Sequence, residues 1–153
     1  MGTRSLTRVI PRQEGISYSK GHAHPEKALV NIYQQFDGYP EYMGVHLATF
    51  LKDMKIINGI GIEQRDNTQF ANGPGCLAAS LVDYLKNETG NTYLIECEGK
   101  PGDSWEEYIY TLYPKEGEPT YMSIYNIGSK ECIFVGTPQQ LIDKYKTNTN
   151  EEG

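Results

Sequence analysis

VNIYQQFDGYPEYMG, residues Val30 to Gly44, decides how the rest of the chain is read. It starts as a strand: Val30, Ile32 and Gln34 fall on one side and Asn31, Tyr33 and Gln35 on the other. Phe36-Asp37-Gly38-Tyr39-Pro40 then breaks the ladder. Gly38 is the residue suited to a positive φ, while Pro40 lacks a backbone donor and holds Tyr39 extended. Two aromatics around an Asp-Gly either pin the following helix to a sheet or rim a pocket for a flat, polar ligand.

Working outward, Thr3 to Ile10 reads as a first strand and Ala28 to Phe36 as the second, paired as a long hairpin because sequential strands are usually neighbours. Between them, Gln13 to Lys27 is polar and reads as a mobile hairpin or insertion loop over 11–27. Its GHAHP offers His22 and His24 but no third ligand, so a zinc site is not expected. After the turn, apolar residues at 43, 47, 50, 51 and 54 predict an amphipathic helix over Tyr42 to Met54. Asn58-Gly59-Ile60-Gly61 is a glycine-punctuated connection and falls short of a nucleotide fingerprint. Asn72-Gly73-Pro74-Gly75 opens a second helix, Cys76 to Asn87, with Leu77, Leu81, Tyr84 and Leu85 as its apolar stripe.

Strands follow at Tyr93 to Glu98, Glu106 to Tyr113, Tyr121 to Ile127 and Glu131 to Val135, with charged, glycine-bearing hairpin turns between the later ones. In EEYIYTLY, Tyr108, Tyr110 and Leu112 share one face, and Ile109, Thr111 and Tyr113 the other; one face is expected to cover the helices. Thr137 is a fitting N-cap and Pro138 a fitting first residue for a last helix, Gln139 to Lys146, which buries Leu141, Ile142 and Tyr145. The fold class is therefore α+β: antiparallel sheet packed on two central helices, with a short C-terminal helix. A single ligand-binding domain spans 1–147, and 148–153 is a flexible tail.

At 153 residues the chain has a core of ordinary size. A net charge of −6 without basic clusters argues against a nucleic-acid surface. The 12 tyrosines against four phenylalanines favour an interface or a polar pocket over a dry core. Cys76, Cys97 and Cys132 form no CxxC pair or disulfide framework and read as reduced thiols of a cytosolic protein. No signal peptide or membrane span is visible.

No Gly-x-Ser-x-Gly elbow, HExxH or P-loop is present, and Glu106 and Glu107 diverge as strand neighbours. A rival enzymatic reading, hydrolysis or transfer of a nucleotide, would use Cys76 or His46. The remaining chemistry is that of binding. Arg65 is the arginine best placed for a bidentate anion contact. Asn72, Gly73 and Gly75 sit at a helix start whose free N–H groups suit an anion.

MGTRSL, IYQQFDGYPEYMG, NGIG, ANGPGCLAASLV and EEYIYTLY, in that order, resemble the phage anti-Thoeris sponge family. The similarity covers residues 1–10 and 28–115. The resemblance implies a non-enzymatic, cofactor-free phage protein of the host bacterial cytoplasm. Such a protein binds glycocyclic ADP-ribose signals without cleaving them, assembles as a homodimer or hexamer, and in some members also takes up cyclic di- or trinucleotides. The chain departs from the family pattern in its longer Gly15 to Lys27 segment, its acidic tail and its YPEYMG turn. Residue type and block position together give the expected ligand contacts: Arg4, Phe36, Asp37, Tyr39, Arg65, Asn72, Gly73, Gly75 and Tyr108. Aromatics would stack the base, Arg65 and the backbone near Gly73 would hold phosphate, and Asn72 or Asp37 would read ribose hydroxyls.

Overall fold

A computed structural model describes residues 2–13, 15–57, 69–96 and 101–152, the last six by their backbone alone. Arg65, Cys97 and the Asn58 to Gly61 connection lie outside the described residues. Among the described residues, eight strands and three α-helices follow one another. They are β1 (Ser5–Val9), β2 (Val30–Gln34), α1 (Val45–Leu51), β3 (Lys55–Ile57), β4 (Phe70–Asn72), α2 (Gly73–Leu85), β5 (Thr92–Leu94), β6 (Tyr108–Tyr113), β7 (Tyr121–Asn126), β8 (Glu131–Gly136) and α3 (Pro138–Glu152). The protein is α+β, with a mostly antiparallel six-stranded sheet ordered β5-β2-β1-β6-β7-β8.

The expected hairpin exists: β1 and β2 pair antiparallel, with Ser5 opposite Gln34 and Val9 opposite Val30. On its other side β1 runs parallel to β6, with Ser5 beside Tyr108 and Val9 beside Leu112. That one parallel seam joins the two halves of the chain. A second, two-stranded parallel sheet pairs β3 with β4; neither strand was expected from the sequence.

The apolar faces of the helices meet the sheet face that carries Val9, Ile32, Tyr110, Leu112, Met122 and Ile124. Leu47, Phe50 and Leu51 of α1, Leu77, Leu81 and Leu85 of α2, and Leu141 and Tyr145 of α3 complete this core. The stripe read from sequence on α2 is correct at its three leucines. Burying one such leucine side chain stabilises by about 2 kcal/mol.

The opposite sheet face is covered too. Ile109, Thr111 and Tyr113 are as buried as Tyr110 and Leu112. Residues 18–27, expected as a mobile hairpin or loop, form two short 3₁₀ turns, Tyr18–Ala23 and Pro25–Lys27. The first of them lies across this face. The Tyr113 hydroxyl donates to the Tyr18 carbonyl at 2.8 Å, and the Arg8 guanidinium donates to the His22 carbonyl at 3.2 Å. A Cβ on Gly21 would overlap the Tyr113 hydroxyl, so only glycine fits there.

Helix boundaries differ for local reasons. Pro40–Gly44 forms a π-helical turn that runs directly into α1. The regular α-helical part is therefore shorter than Tyr42 to Met54. Gly44 marks the junction, where a Cβ would touch Leu141 and Tyr110 at 3.4 and 3.5 Å. α2 begins at Gly73, whose φ is +81°, with Pro74 in its first turn. Thr137 and Gln140 cap α3 reciprocally: the Thr137 N–H donates to Gln140 Oε1 at 2.8 Å, and the Gln140 N–H to Thr137 Oγ1 at 3.3 Å. The α3 backbone stays helical to Glu152, through residues expected as a flexible tail.

Candidate functional site

The site is built around the turn that ends β2. Asp37, not Gly38, takes the left-handed conformation, with φ of +58°. Gly38 is needed for a different reason: a Cβ there would sit 2.8 Å from Ser5 Cβ and 2.9 Å from the Thr3 carbonyl oxygen. The turn is thus pressed against the start of β1, and the Gly38 N–H donates to the Thr3 carbonyl at 2.9 Å. From β6, the buried Tyr110 hydroxyl donates to the Gly38 carbonyl at 2.5 Å. Asn91 Oδ1 accepts the N–H groups of Gln35 and Phe36, each at 3.2 Å.

These ties fix the backbone and leave the aromatics out. Phe36 is 49 % exposed, Tyr39 41 % and Tyr42 40 %. The expectation that Phe36 and Tyr39 pin the helix to the sheet is therefore not met; buried Met43, Leu47 and Phe50 do that work. The exposed rings begin a run of aromatic contacts that leads into the core. Tyr39 meets Tyr42 edge-on at 6.3 Å, and Tyr42 meets His46 at 5.7 Å. His46 stacks on Tyr84 at 4.6 Å, and Tyr84 on Phe50 at 4.5 Å. Tyr42 and His46 are one helical turn apart, a spacing that puts them on one side.

Electrostatics follow from burial. Desolvation lowers the pKa of His46 below the usual histidine value, so the neutral ring is favoured. Its Nδ1 lies 3.2 Å from the Tyr84 hydroxyl, which also donates to the His46 carbonyl at 3.0 Å. Tyr84, the partner of His46, lies about two turns along α2 from Cys76, so His46 and Cys76 are held by different parts of that helix. Burial first, then the nearby Glu41 carboxylate, raises Tyr108 above the usual phenol range. Burial and Glu41 likewise push Tyr145 up to about 12. All three phenols of this corner, Tyr108, Tyr110 and Tyr145, thus remain neutral donors at physiological pH.

Beneath the turn is a polar floor. Ser5 and Gln34 are cross-strand partners, and Thr7 lies two residues along β1 on the same face. Ser5 Oγ, Thr7 Oγ1 and Gln34 Oε1 are buried without a hydrogen-bond partner among the described residues. The Gln34 amide nitrogen donates to Thr92 Oγ1 at 3.3 Å.

Phe36, Asp37 and Tyr39 share the turn, and the backbones of Arg4 and Tyr108 run beside its anchor at Ser5, which pairs with Tyr108. Arg4 lies at the entry to β1, where its carbonyl accepts the Glu107 N–H at 2.9 Å, one residue before Tyr108. Asn72, Gly73 and Gly75 are not part of this cluster. The far end of α2 is the one near the turn, since the Leu85 carbonyl accepts from Thr92 Oγ1 at 3.4 Å. Gly73 is therefore roughly 18 Å away along the helix axis. Among the described residues a Cβ at Gly73 or Gly75 would meet nothing within 4 Å. Tyr42, Tyr84, Tyr110, Glu41 and Asn91 were missed. For Tyr42 the i, i+4 relation to His46 was the available signal; Tyr84, Tyr110 and Asn91 arrive from distant segments.

No family model, curated protein or solved structure matches the chain. Among the described residues no three His, Cys, Asp or Glu side chains form a metal cluster, and no helix is long and apolar enough to cross a membrane.

Proposed function

We propose that this chain is a sponge: it binds a cyclic ADP-ribose-type immune signal, of the glycocyclic kind, and keeps it chemically intact. The resemblance of its five sequence blocks to the phage anti-Thoeris sponges motivates the reading. The observation that carries it is the exposed aromatic turn of Phe36, Tyr39 and Tyr42, held rigid by backbone bonds to Thr3, Tyr110 and Asn91. Exposed rings on a fixed backbone suit stacking against a base, because little ordering entropy is left to lose on binding. The neutral phenol of Tyr108 and the Asp37 carboxylate would contact ribose hydroxyls. Sequestration needs affinity without preferential binding of a transition state.

Phosphate contacts would come from Arg65 and from the backbone at Asn72 to Gly75. In one copy the α2 start lies too far from the turn for both to grip one small ligand. A homodimer or hexamer that sets the α2 start of one copy against the turn of another would unite them. On this reading the protein acts in the cytoplasm of the infected host. Cyclic di- and trinucleotides are further candidate ligands.

The deciding experiment mixes the protein with a glycocyclic ADP-ribose isomer in a calorimeter, then heats the complex and analyses the released material by mass spectrometry. Tight binding followed by recovery of the unchanged ring is expected. A new product would make the chain an enzyme. Absence of heat with every cyclic ADP-ribose isomer and cyclic oligonucleotide would leave a protein-binding module instead.

A further inference from the structure

A separate cavity of about 570 Å³ opens where α1 gives way to β3. Its apolar wall is made by Leu51, Met54, Ile56, Ile57, Pro119 and Pro138. The volume lies within the range of small-molecule sites, roughly 300–1,000 Å³. The frame is fixed by backbone: the Gly117 N–H donates to the Ile56 carbonyl at 3.0 Å, and the Lys55 N–H to the Gln69 carbonyl at 2.8 Å. Four charged residues, Lys52, Asp53, Lys55 and Glu118, border it. Glu118 is already engaged by Arg12 and by Lys115, the latter at 3.2 Å. Lys52 and Lys55 are exposed, and neither has a carboxylate partner among the described residues. Pro138, the first residue of α3, also places the positive end of that helix's dipole beside the cavity. Asp53, also exposed, is the one bordering carboxylate without a cation partner among the described residues, so Lys52, Lys55 and the start of α3 leave the rim with an excess of positive charge beside an apolar chamber.

We infer that this cavity binds an amphipathic organic anion: a compact ring or hydrocarbon body with one carboxylate, sulfonate or phosphate group. The body fills the chamber between Met54, Ile57 and Pro119, and the acid group reaches Lys52 and Lys55 at its mouth. The inference does not depend on the sponge reading, because the cavity shares no residue with the aromatic turn.

The probe is anilinonaphthalene sulfonate, titrated into the full chain and followed by fluorescence, beside its uncharged analogue phenylnaphthylamine. Saturable binding at one site per chain is expected, and Ile57→Trp, which adds bulk at the wall, should abolish it. The double variant Lys52→Glu/Lys55→Glu should weaken the sulfonate about tenfold and leave the uncharged analogue unchanged. Both lysines are exposed, so this variant folds; thermal melts of each variant establish that it does. Unaltered sulfonate binding in Ile57→Trp and in the lysine variant would overturn the inference. So would loss of binding in Tyr39→Ala with retention in Ile57→Trp, since the dye would then sit on the aromatic turn.

Discussion

Tyr110 reaches across the helix-covered face of the sheet to donate its phenol proton to the carbonyl of Gly38, at 2.5 Å. The bond joins the middle of β6 to the turn that carries the exposed aromatics. Tyr110→Phe keeps the ring and removes the donor, leaving a carbonyl without its partner. A loss of about 1–3 kcal/mol is expected in urea unfolding, together with weaker binding of the cyclic signal. Unchanged stability would mean that the turn is held by Thr3 and Asn91 alone.

Two glycines should respond to alanine with opposite signs. At Gly38 a Cβ would meet Ser5 and the Thr3 carbonyl below 3.0 Å, and backbone cannot move aside cheaply. Gly38→Ala is expected to cost about 1–3 kcal/mol. At Gly75, inside α2, a Cβ would meet nothing within 4 Å among the described residues, so Gly75→Ala should gain about 0.5–1 kcal/mol through helix propensity. Midpoints of urea unfolding compare the two directly.

Stability should fall with acid. His22 lies flat on Tyr125, ring centres 3.6 Å apart and planes 12° apart. Its pKa is lowered by burial and then by the charges of Arg8, His24 and Lys20. Burial lowers His46 as well. A histidine whose pKa is lower in the folded state binds protons more readily unfolded, so stability is lost as pH drops below about 6.5. Urea midpoints should decline between about pH 7.5 and pH 5. His22→Phe keeps a ring on Tyr125 without a titrating group, and should flatten that slope while leaving the share due to His46. An unchanged slope would assign the acid sensitivity elsewhere.

Phe36→Ala and Tyr39→Ala remove rings that are about half in water, so each should cost less than about 1 kcal/mol in stability. If the turn stacks a base, each should weaken the cyclic ligand by about tenfold or more in calorimetry. Equal affinity in both variants would move the ligand away from this turn.

Much of the fold was legible because its signals are local. The alternation in EEYIYTLY, the Thr137-Pro138 start of α3 and the leucine spacing of α2 each depend on residues within a turn or two of one another. The β1–β6 seam had no such signal, because Ser5 and Tyr108 meet across most of the chain and nothing near either names the other. β3 and β4 are three-residue strands, too short to show a period. Residues 18–27 read as loop because they are polar; the first of their two turns covers the sheet through backbone carbonyls and stacked rings, which composition does not reveal. At the site, Asp37-Gly38 flanked by aromatics marked the turn correctly, and Tyr108 arrived beside it. Asn72 to Gly75 was joined to it by chemical plausibility, and the length of α2 keeps them apart within one chain.

The position of β1 in the sheet also dictates an order of events. Its one edge is completed by residues 30–34, available early in synthesis, whereas its other edge waits for residues 108–112. On the ribosome the nascent β1–β2 hairpin therefore presents an open strand edge until Leu112 has emerged, and closure of the sheet is a late, long-range step. Truncation anywhere before β6 would leave that edge permanently open and prone to pairing with other chains.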